Sequence, residues 1–226
     1  MWVLKMNGSL NVEDIFQDLK EVANSDDAVH MKAYMKNQFE FLGVKTPIRR
    51  QISKIFFKKS HKSTIDWEFV NQAWENPYRE MQYVVLDYLQ LKQKSLTSND
   101  LPKVKKLAQT KPWWDTIDFL CRSVGFLCLH YPETKKIVLD WSTDEDIWLR
   151  RLAIEHQLLQ KEQTDVLLLE QILLNNLGQT EFFINKAIGW ALRDYSKTNP
   201  DWVWDFIQTH KEGLTSLSIR EGSKYL

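Results

Sequence analysis

The sequence is poor in the residues that make tight turns. Its 226 residues include only seven glycines and six prolines. β-sandwiches and β-barrels depend on many tight turns, which these two residues commonly supply, so the composition argues against both classes. Hydrophobic residues make up 43% and charged residues 27%, as in globular proteins, and the length allows one large domain with a substantial core. We therefore predict a single domain over residues 1–226.

Residues typical of metal and nucleotide sites are also scarce. The two cysteines, Cys121 and Cys128, lie in an apolar stretch, and we expect them to pack as small buried side chains rather than form a disulfide or bind metal. The five histidines are scattered without ligand spacing, and no phosphate-binding glycine loop or C-x-x-C motif is present. The sequence therefore predicts neither a metal nor a cofactor.

An excess of one charge and a long apolar run are both missing. Thirty cations balance 30 anions, so a case for nucleic-acid binding must rest on local clustering. No apolar run approaches the roughly 18 residues that a membrane span needs, and no signal peptide is recognisable. We expect a cytoplasmic monomer without a membrane partner.

Apolar residues recur at helical spacing along nearly the whole chain, and no segment alternates like a strand. Paired helices return roughly every 35 to 40 residues, which favours a helical-repeat solenoid over a four-helix bundle. The concave face of a solenoid could hold an extended polymer. The predicted helices are 10–23, 28–39, 46–60, 67–75, 79–93, 98–109, 112–130, 132–141, 144–160, 164–174, 180–195, 200–209 and 218–224.

One predicted helix is strongly cationic. Residues 47–65 contain no acid. The cations of this segment are Arg49, Arg50, Lys54, Lys58, Lys59 and Lys62. Four of them lie four residues apart on one helix face, where like charges cost a few tenths of a kcal/mol per pair. A nearby anion would offset that cost, although a solvated face explains the pattern equally well.

A carboxylate and an indole lie one turn apart in the segment 111–118, Lys-Pro-Trp-Trp-Asp-Thr-Ile-Asp. Trp114 and Asp118 therefore share a helix face. Farther along, Arg150 and Arg151 are adjacent and diverge, so one of them can enter a groove. A carboxylate, aromatic faces and a guanidinium suit the binding and cleavage of a cationic group on a phosphate backbone. The alternative for Asp118 is a buried carboxylate paired with an arginine.

Trp190 has a second set of chemically active neighbours. Gly189 before it permits close approach, and Lys186 and Arg193 lie within one turn on either side. Cations at this spacing can bind phosphate or lie against the indole.

These segments resemble the AlkD family of DNA alkylation repair glycosylases over almost the whole chain, from about Asp14 to Arg220. The stretches that carry the resemblance are 33–37 (AYMKN), 41–50 (FLGVKTPIRR), 113–118 (WWDTID), 147–151 (IWLRR) and 181–200 (EFFINKAIGWALRDYSKTNP). The resemblance implies a right-handed α-solenoid of HEAT-like helical repeats with a concave DNA-binding face. It also implies hydrolysis of the N-glycosidic bond of cationic purines, chiefly N3-alkyladenine and N7-alkylguanine, in double-stranded DNA without base flipping.

The resemblance assigns roles to individual residues. Asp118 would be the catalytic carboxylate, Trp114 and Trp190 would face the sugar, and Arg151 would hold a phosphate. The implied DNA-binding residues are Tyr34, Lys36, Thr46, Arg49, Arg50, Lys54, Lys186 and Arg193. Two other functions stay open: a catalytically inactive DNA-binding paralogue of the same fold, and a helical-repeat protein scaffold.

Overall fold

The computed structural model describes residues 10–59 and 64–226 and confirms that this part of the chain is helical. Its only strand-like feature is an isolated parallel bridge between Glu40 and Tyr78. The described residues form thirteen α-helices: α1 (Val12–Glu21), α2 (Ser25–Tyr34), α3 (Thr46–Lys59), α4 (Trp67–Glu75), α5 (Arg79–Leu91), α6 (Leu101–Gln109), α7 (Trp114–His130), α8 (Thr134–Trp141), α9 (Ile147–Glu155), α10 (Val166–Leu174), α11 (Phe182–Tyr195), α12 (Pro200–Thr209) and α13 (Ser216–Gly222).

The largest departures from the predicted boundaries have local causes. Helix α2 begins three residues before the predicted start, because the Asn24 side chain accepts a hydrogen bond from the Asp27 N–H and caps the helix. It also ends five residues before the predicted end, since Lys36 and Asn37 adopt φ values of 56° and 59°. The predicted helix 144–160 shortens to α9, since Asp146 caps its start and Leu159 adopts a φ of 69° beyond its end.

The chain divides into two compact units, Met1–Leu96 and Thr97–Leu226. In the first unit α3 packs between α1 and α5, and α4 packs against both α1 and α5. Its core is mainly apolar and includes Leu19, Phe69 and Val84, each at most 2% exposed.

In the second unit alternate helices of the chain pack side by side in a row: α7 packs on α9, α9 on α11 and α11 on α13. Helices α8 and α10 pack together and against α9, which gives a second layer. This alternation is the packing of a helical-repeat protein, as the sequence predicted. The single domain, the right-handed superhelix and the concave face stay predictions.

Close packing in the row requires small residues at two positions. A Cβ on Gly125 of α7 would lie 2.1 Å from the His156 carbonyl oxygen, and one on Gly189 of α11 would lie 2.6 Å from the Glu221 Cβ. Both cysteines of α7 are buried free thiols, in agreement with the sequence analysis. None of the helices in 10–59 and 64–226 is long and apolar enough to cross a membrane.

Candidate active site

The site begins at the N-terminal end of α7. The Trp113 ring packs 5.5 Å from the Trp148 ring and 5.3 Å from the Phe183 ring, measured between centroids. This aromatic cluster joins the starts of α7, α9 and α11. Trp114 follows as the first residue of α7 and is half-buried, and Asp118 lies one turn farther on. The N-terminal ends of three neighbouring helices are thereby fixed around the predicted carboxylate.

Asp118 is paired with Arg151. The Arg151 Nε donates to Asp118 Oδ1 at 2.9 Å, and Nη2 lies 2.8 Å from the same oxygen. The Arg151 Nη1 donates to the Phe183 carbonyl, so the guanidinium is held between α7 and α11. Its side chain is 2% exposed, whereas that of Asp118 is 17% exposed. The paired carboxylate foreseen as the alternative is therefore present, but this carboxylate keeps access to solvent.

The position of Arg151 departs from the phosphate-holding role that the resemblance implied. An arginine that binds DNA phosphate must present its N–H groups at the surface. Here Asp118, Glu155 and the Phe183 carbonyl surround the guanidinium. The same group lies 5.4 Å from the centre of the Trp190 ring. Arg151 therefore connects the carboxylate to the indole.

Glu155 is a member of the site that the sequence analysis missed. It lies one turn after Arg151 on α9, fully buried, with Oε1 2.7 Å from Arg151 Nη2. Burial raises the pKa of Glu155 well above its ordinary value, and the nearby Asp118 charge raises it further. Burial also raises the pKa of Asp118, against the opposing effect of the Arg151 charge. The i, i+4 pair of Arg151 and Glu155 in a largely apolar helix was the available sequence signal.

Trp190 stands within a group of cations on α11. The Lys186 Nζ lies 5.7 Å and the Arg193 Cζ 5.6 Å from the ring centre. Both cations pair with Glu221 of α13, at 3.0 and 2.9 Å. The hydrogen bond from Lys186 holds the pKa of Glu221 below its ordinary value. Gly189 makes this arrangement possible, since it lets α13 approach α11.

A cavity of about 240 Å³ opens beside Asp118 and Trp190. Its charged lining comprises Asp118, Arg122, Arg193, Asp194 and Lys197, and its apolar lining includes Leu158 and Leu159. Arg122 and Lys197 were not foreseen. Arg122 follows Asp118 by four positions on α7 and so shares its helix face, whereas Lys197 lies in the turn just after α11. The cavity brings together two carboxylates, an indole and three cations.

The structure brings three of the four predicted catalytic residues together: Asp118, Arg151 and Trp190. Arg151 touches both Asp118 and Trp190, and these two lie on the cavity wall. Trp114 lies one turn before Asp118 on the same helix and is half-buried, but it is not part of the cavity lining. In the two described ranges, no cluster of three or more His, Cys, Asp or Glu side chains could hold a metal ion.

The residues predicted to bind DNA in the first unit are mostly on its surface. Tyr34 is 69% exposed, and Lys36, Thr46 and Lys54 are exposed as well. Arg50 is also exposed, although its Nε donates to Asp87 Oδ1 at 3.0 Å.

Arg49 departs from this set. Its side chain is 7% exposed, pairs with Asp87 at 3.1 Å and lies 4.9 Å over the Tyr83 ring. Arg49 precedes the buried Ser53 by four residues and the buried Phe57 by eight, so it lies on the inward face of α3, which the charge pattern alone could not reveal. Of the predicted cationic face, Arg50, Lys54 and Lys58 are exposed, while Lys62 lies outside the described residues.

The chain belongs to the family of DNA alkylation repair enzymes, whose pattern matches residues 15–226. A solved structure described as a predicted DNA alkylation repair enzyme from Enterococcus faecalis is similar over 90% of this chain and 96% of its own, with 34% identity and a TM-score of 0.83. Among curated proteins, none matches. The match spans α1 to α13, so both compact units are part of the family fold.

Proposed function

We propose that this protein is a DNA glycosylase that hydrolyses the N-glycosidic bond of cationic alkylated purines, N3-alkyladenine and N7-alkylguanine, in double-stranded DNA. The observation that carries the proposal is the placement of Asp118. Its carboxyl group is held by a buried arginine, keeps access to solvent and shares a cavity with Trp190. A merely structural ion pair would not need an opening lined by cations.

The chemistry of a cationic lesion suits these residues. An alkylated purine already carries positive charge and is a good leaving group, so no acid is needed to protonate it. As the bond breaks, positive charge moves to the sugar and gives an oxocarbenium-like state. Asp118 stabilises that charge and orients the attacking water. The indole faces of Trp114 and Trp190 attract cations by about 0.5–2 kcal/mol each.

Phosphate binding falls to cations other than Arg151 in this proposal. Arg193 and Lys197 line the cavity, and Arg122 faces them from α7. Lys186 and Arg193 are held beside Trp190 by Glu221. Cations in these positions bind the backbone on either side of the lesion, and Arg151 holds Asp118 in place. The lesion stays stacked in the duplex, and the enzyme reaches it from the backbone side.

A DNA-binding protein without catalytic activity is the second candidate, and the Arg151 ion pair favours it. A guanidinium 2.8 Å from Asp118 offsets much of the negative charge that would stabilise an oxocarbenium state. In that case the cavity would bind DNA and leave the glycosidic bond intact.

Base release from defined duplexes separates the two candidates. Duplexes carrying a single 7-methylguanine or a single uracil are incubated with excess protein, and the free base is quantified. We expect release of 7-methylguanine, unaffected by a chelator, and only background release of uracil, because uracil is neutral and its departure requires an acid. Duplex binding without release of 7-methylguanine would establish the inactive candidate. Efficient uracil release would overturn the proposed mechanism.

Base stacking is followed in the same duplexes. A 2-aminopurine placed next to 7-methylguanine brightens when its neighbour leaves the stack. Fluorescence that stays low on binding is expected for a stacked lesion, and a strong increase would indicate base flipping.

A further inference from the structure

Two carboxyl groups meet one guanidinium behind the cavity. Arg151 Nη2 lies 2.8 Å from Asp118 Oδ1 and 2.7 Å from Glu155 Oε1. The Arg151 and Glu155 side chains are 2% and 0% exposed. With both carboxyls ionised, the cluster would carry a net negative charge in an enclosed volume, and an uncompensated buried charge is strongly destabilising. One proton shared with the pair makes the cluster neutral.

The surroundings decide which carboxyl group holds the proton. Asp118 accepts a hydrogen bond from Arg151 Nε and is partly open to water. Glu155 has no solvent access, and no well-aligned hydrogen bond from any donor in the described residues reaches either of its oxygens. A carboxylate without well-aligned donors or water is far less stable than a neutral carboxyl group in the same place.

The other groups around Glu155 do not supply a second positive charge. On its own helix Arg151 is the cation that contacts it, whereas Arg150 donates to Asn176 Oδ1 at 2.9 Å. Helix α7 contributes Asp118 and the Cys121 thiol. Burial raises the pKa of Cys121 well above its ordinary value, so the thiol stays neutral. From α11 come the Phe183 carbonyl and the Trp190 ring, neither of which titrates.

We propose that Glu155 is uncharged in the folded protein and positions Asp118 by donating the hydrogen bond of its carboxyl O–H to the Asp118 carboxylate. The cluster then holds one negative charge, on the carboxyl group that reaches the cavity. Burial raises the pKa of Asp118, and a hydrogen bond from Glu155 acts together with Arg151 against that effect. The protonation state stands on the structure alone, whereas the positioning role in catalysis rests on the proposed glycosylase function.

Unfolding at several pH values tests the protonation state without any activity. A buried carboxyl group with a raised pKa takes up a proton on folding, so its stabilising effect is complete at low pH and is lost as pH rises toward the raised pKa. In this range the wild-type folding equilibrium constant falls about tenfold per pH unit relative to Glu155→Gln, which cannot titrate. Urea unfolding between pH 5 and 8 gives this ratio.

The solvent-exposed Glu145→Gln is the matched control, and its ratio to the wild type should not change with pH. A Glu155→Gln ratio that is equally flat would mean that Glu155 is ionised when folded, and the proposal would fall. The pH dependence of unfolding is measured without base release. The protonation state of Glu155 is therefore tested separately from the proposed glycosylase function.

The positioning role is tested with two substitutions. Glu155→Gln keeps a hydrogen-bond donor, and Glu155→Met fills the space without one. The Asp118 carboxyl carbon, assigned by Asp118→Asn, is titrated by carbon-13 NMR. We expect an unchanged Asp118 pKa in Glu155→Gln and a higher one, by about one pH unit, in Glu155→Met.

Release of 7-methylguanine should stay within about threefold of wild type in Glu155→Gln and fall by about tenfold in Glu155→Met. Equal behaviour of the two variants would overturn the positioning role. If Glu155→Met does not fold, a raised Asp118 pKa or a loss of activity in Glu155→Gln would overturn it instead.

Discussion

Each compact unit contains one completely buried glutamate, and the two are surrounded in opposite ways. Glu80, in the first unit, accepts hydrogen bonds from the backbone N–H groups of Leu42, Gly43 and Val44 at 2.9 to 3.1 Å. Glu155, in the second unit, has no such donors and shares Arg151 with Asp118. Both side chains are 0% exposed.

The difference shows that burial alone does not tell what an acidic residue does. Around Glu80 the acceptors and donors balance, and the carboxyl group fixes the loop between α2 and α3. Around Glu155 there is one carboxyl group more than the guanidinium can neutralise. An imbalance of this kind is costly for folding, and such sites are often functional. With Glu155 uncharged, the one negative charge of the cluster lies at Asp118, where the cavity opens.

The largest effect on stability is expected when both Asp118 and Glu155 are replaced by their amides. In Asp118→Asn, Glu155 can lose its proton and pair with Arg151. In Glu155→Gln, Asp118 remains as the partner. We therefore expect each single variant to unfold within about 1 kcal/mol of wild type at pH 7. The double variant leaves Arg151 buried without an anion and should lose about 3–5 kcal/mol. Chemical denaturation of all four proteins gives the coupling energy, and additive single effects would show that the two acids do not share one charge.

Glu80→Gln is expected to be more damaging than Glu155→Gln. A glutamine amide cannot accept all three backbone hydrogen bonds, and its NH₂ group would face N–H donors. We expect a loss of about 1–3 kcal/mol in the free energy of unfolding, against little loss or a gain for Glu155→Gln at pH 7. Equal losses for the two variants in urea unfolding would remove the contrast between the two glutamates.

Gly189→Ala tests the support of the cations around Trp190. The new Cβ would lie 2.6 Å from the Glu221 Cβ, so α13 must shift. Overpacking of this kind costs about 1–3 kcal/mol. Because Glu221 holds Lys186 and Arg193, we also expect weaker binding to duplex DNA, measured by fluorescence anisotropy. Glu221→Gln is the companion variant without added volume, and unchanged DNA affinity in both variants would exclude a role of this clamp in binding.

Lys54→Glu is expected to have the smallest effect on the fold and a clear effect on DNA binding. Lys54 is exposed on the cationic face of α3. Reversing its charge should weaken binding about equally for different duplex sequences. It should also reduce the slope of log affinity against log salt concentration by the equivalent of roughly one to two phosphate contacts. Lys136→Glu, on the exposed face of α8 where Lys136 pairs with Asp140, is the control. The same loss for both would indicate a general charge effect.

The sequence predicted the helices well and the contacts of the site less well. Helical periodicity and caps located α4 and α12 at their observed bounds, because these features are local. Trp190 and Asp118 were predicted as site residues from their neighbours in sequence, and both line the cavity. The pairing of Arg151 with Asp118 depends on how α7 packs against α9, which no local pattern contains. For the same reason Glu155 went unnoticed, and Arg49 was assigned to the surface although it faces inward.

Single-turnover release of 7-methylguanine by wild type and Asp118→Asn tests the central claim most directly. The substitution keeps the shape of the side chain and removes its charge. Asp194→Asn is the matched control, since Asp194 lines the same cavity and accepts the Leu159 N–H. The account predicts a rate at least about 10²-fold lower in Asp118→Asn, with nearly unchanged DNA affinity and with Asp194→Asn close to wild type. Full activity in Asp118→Asn would contradict it.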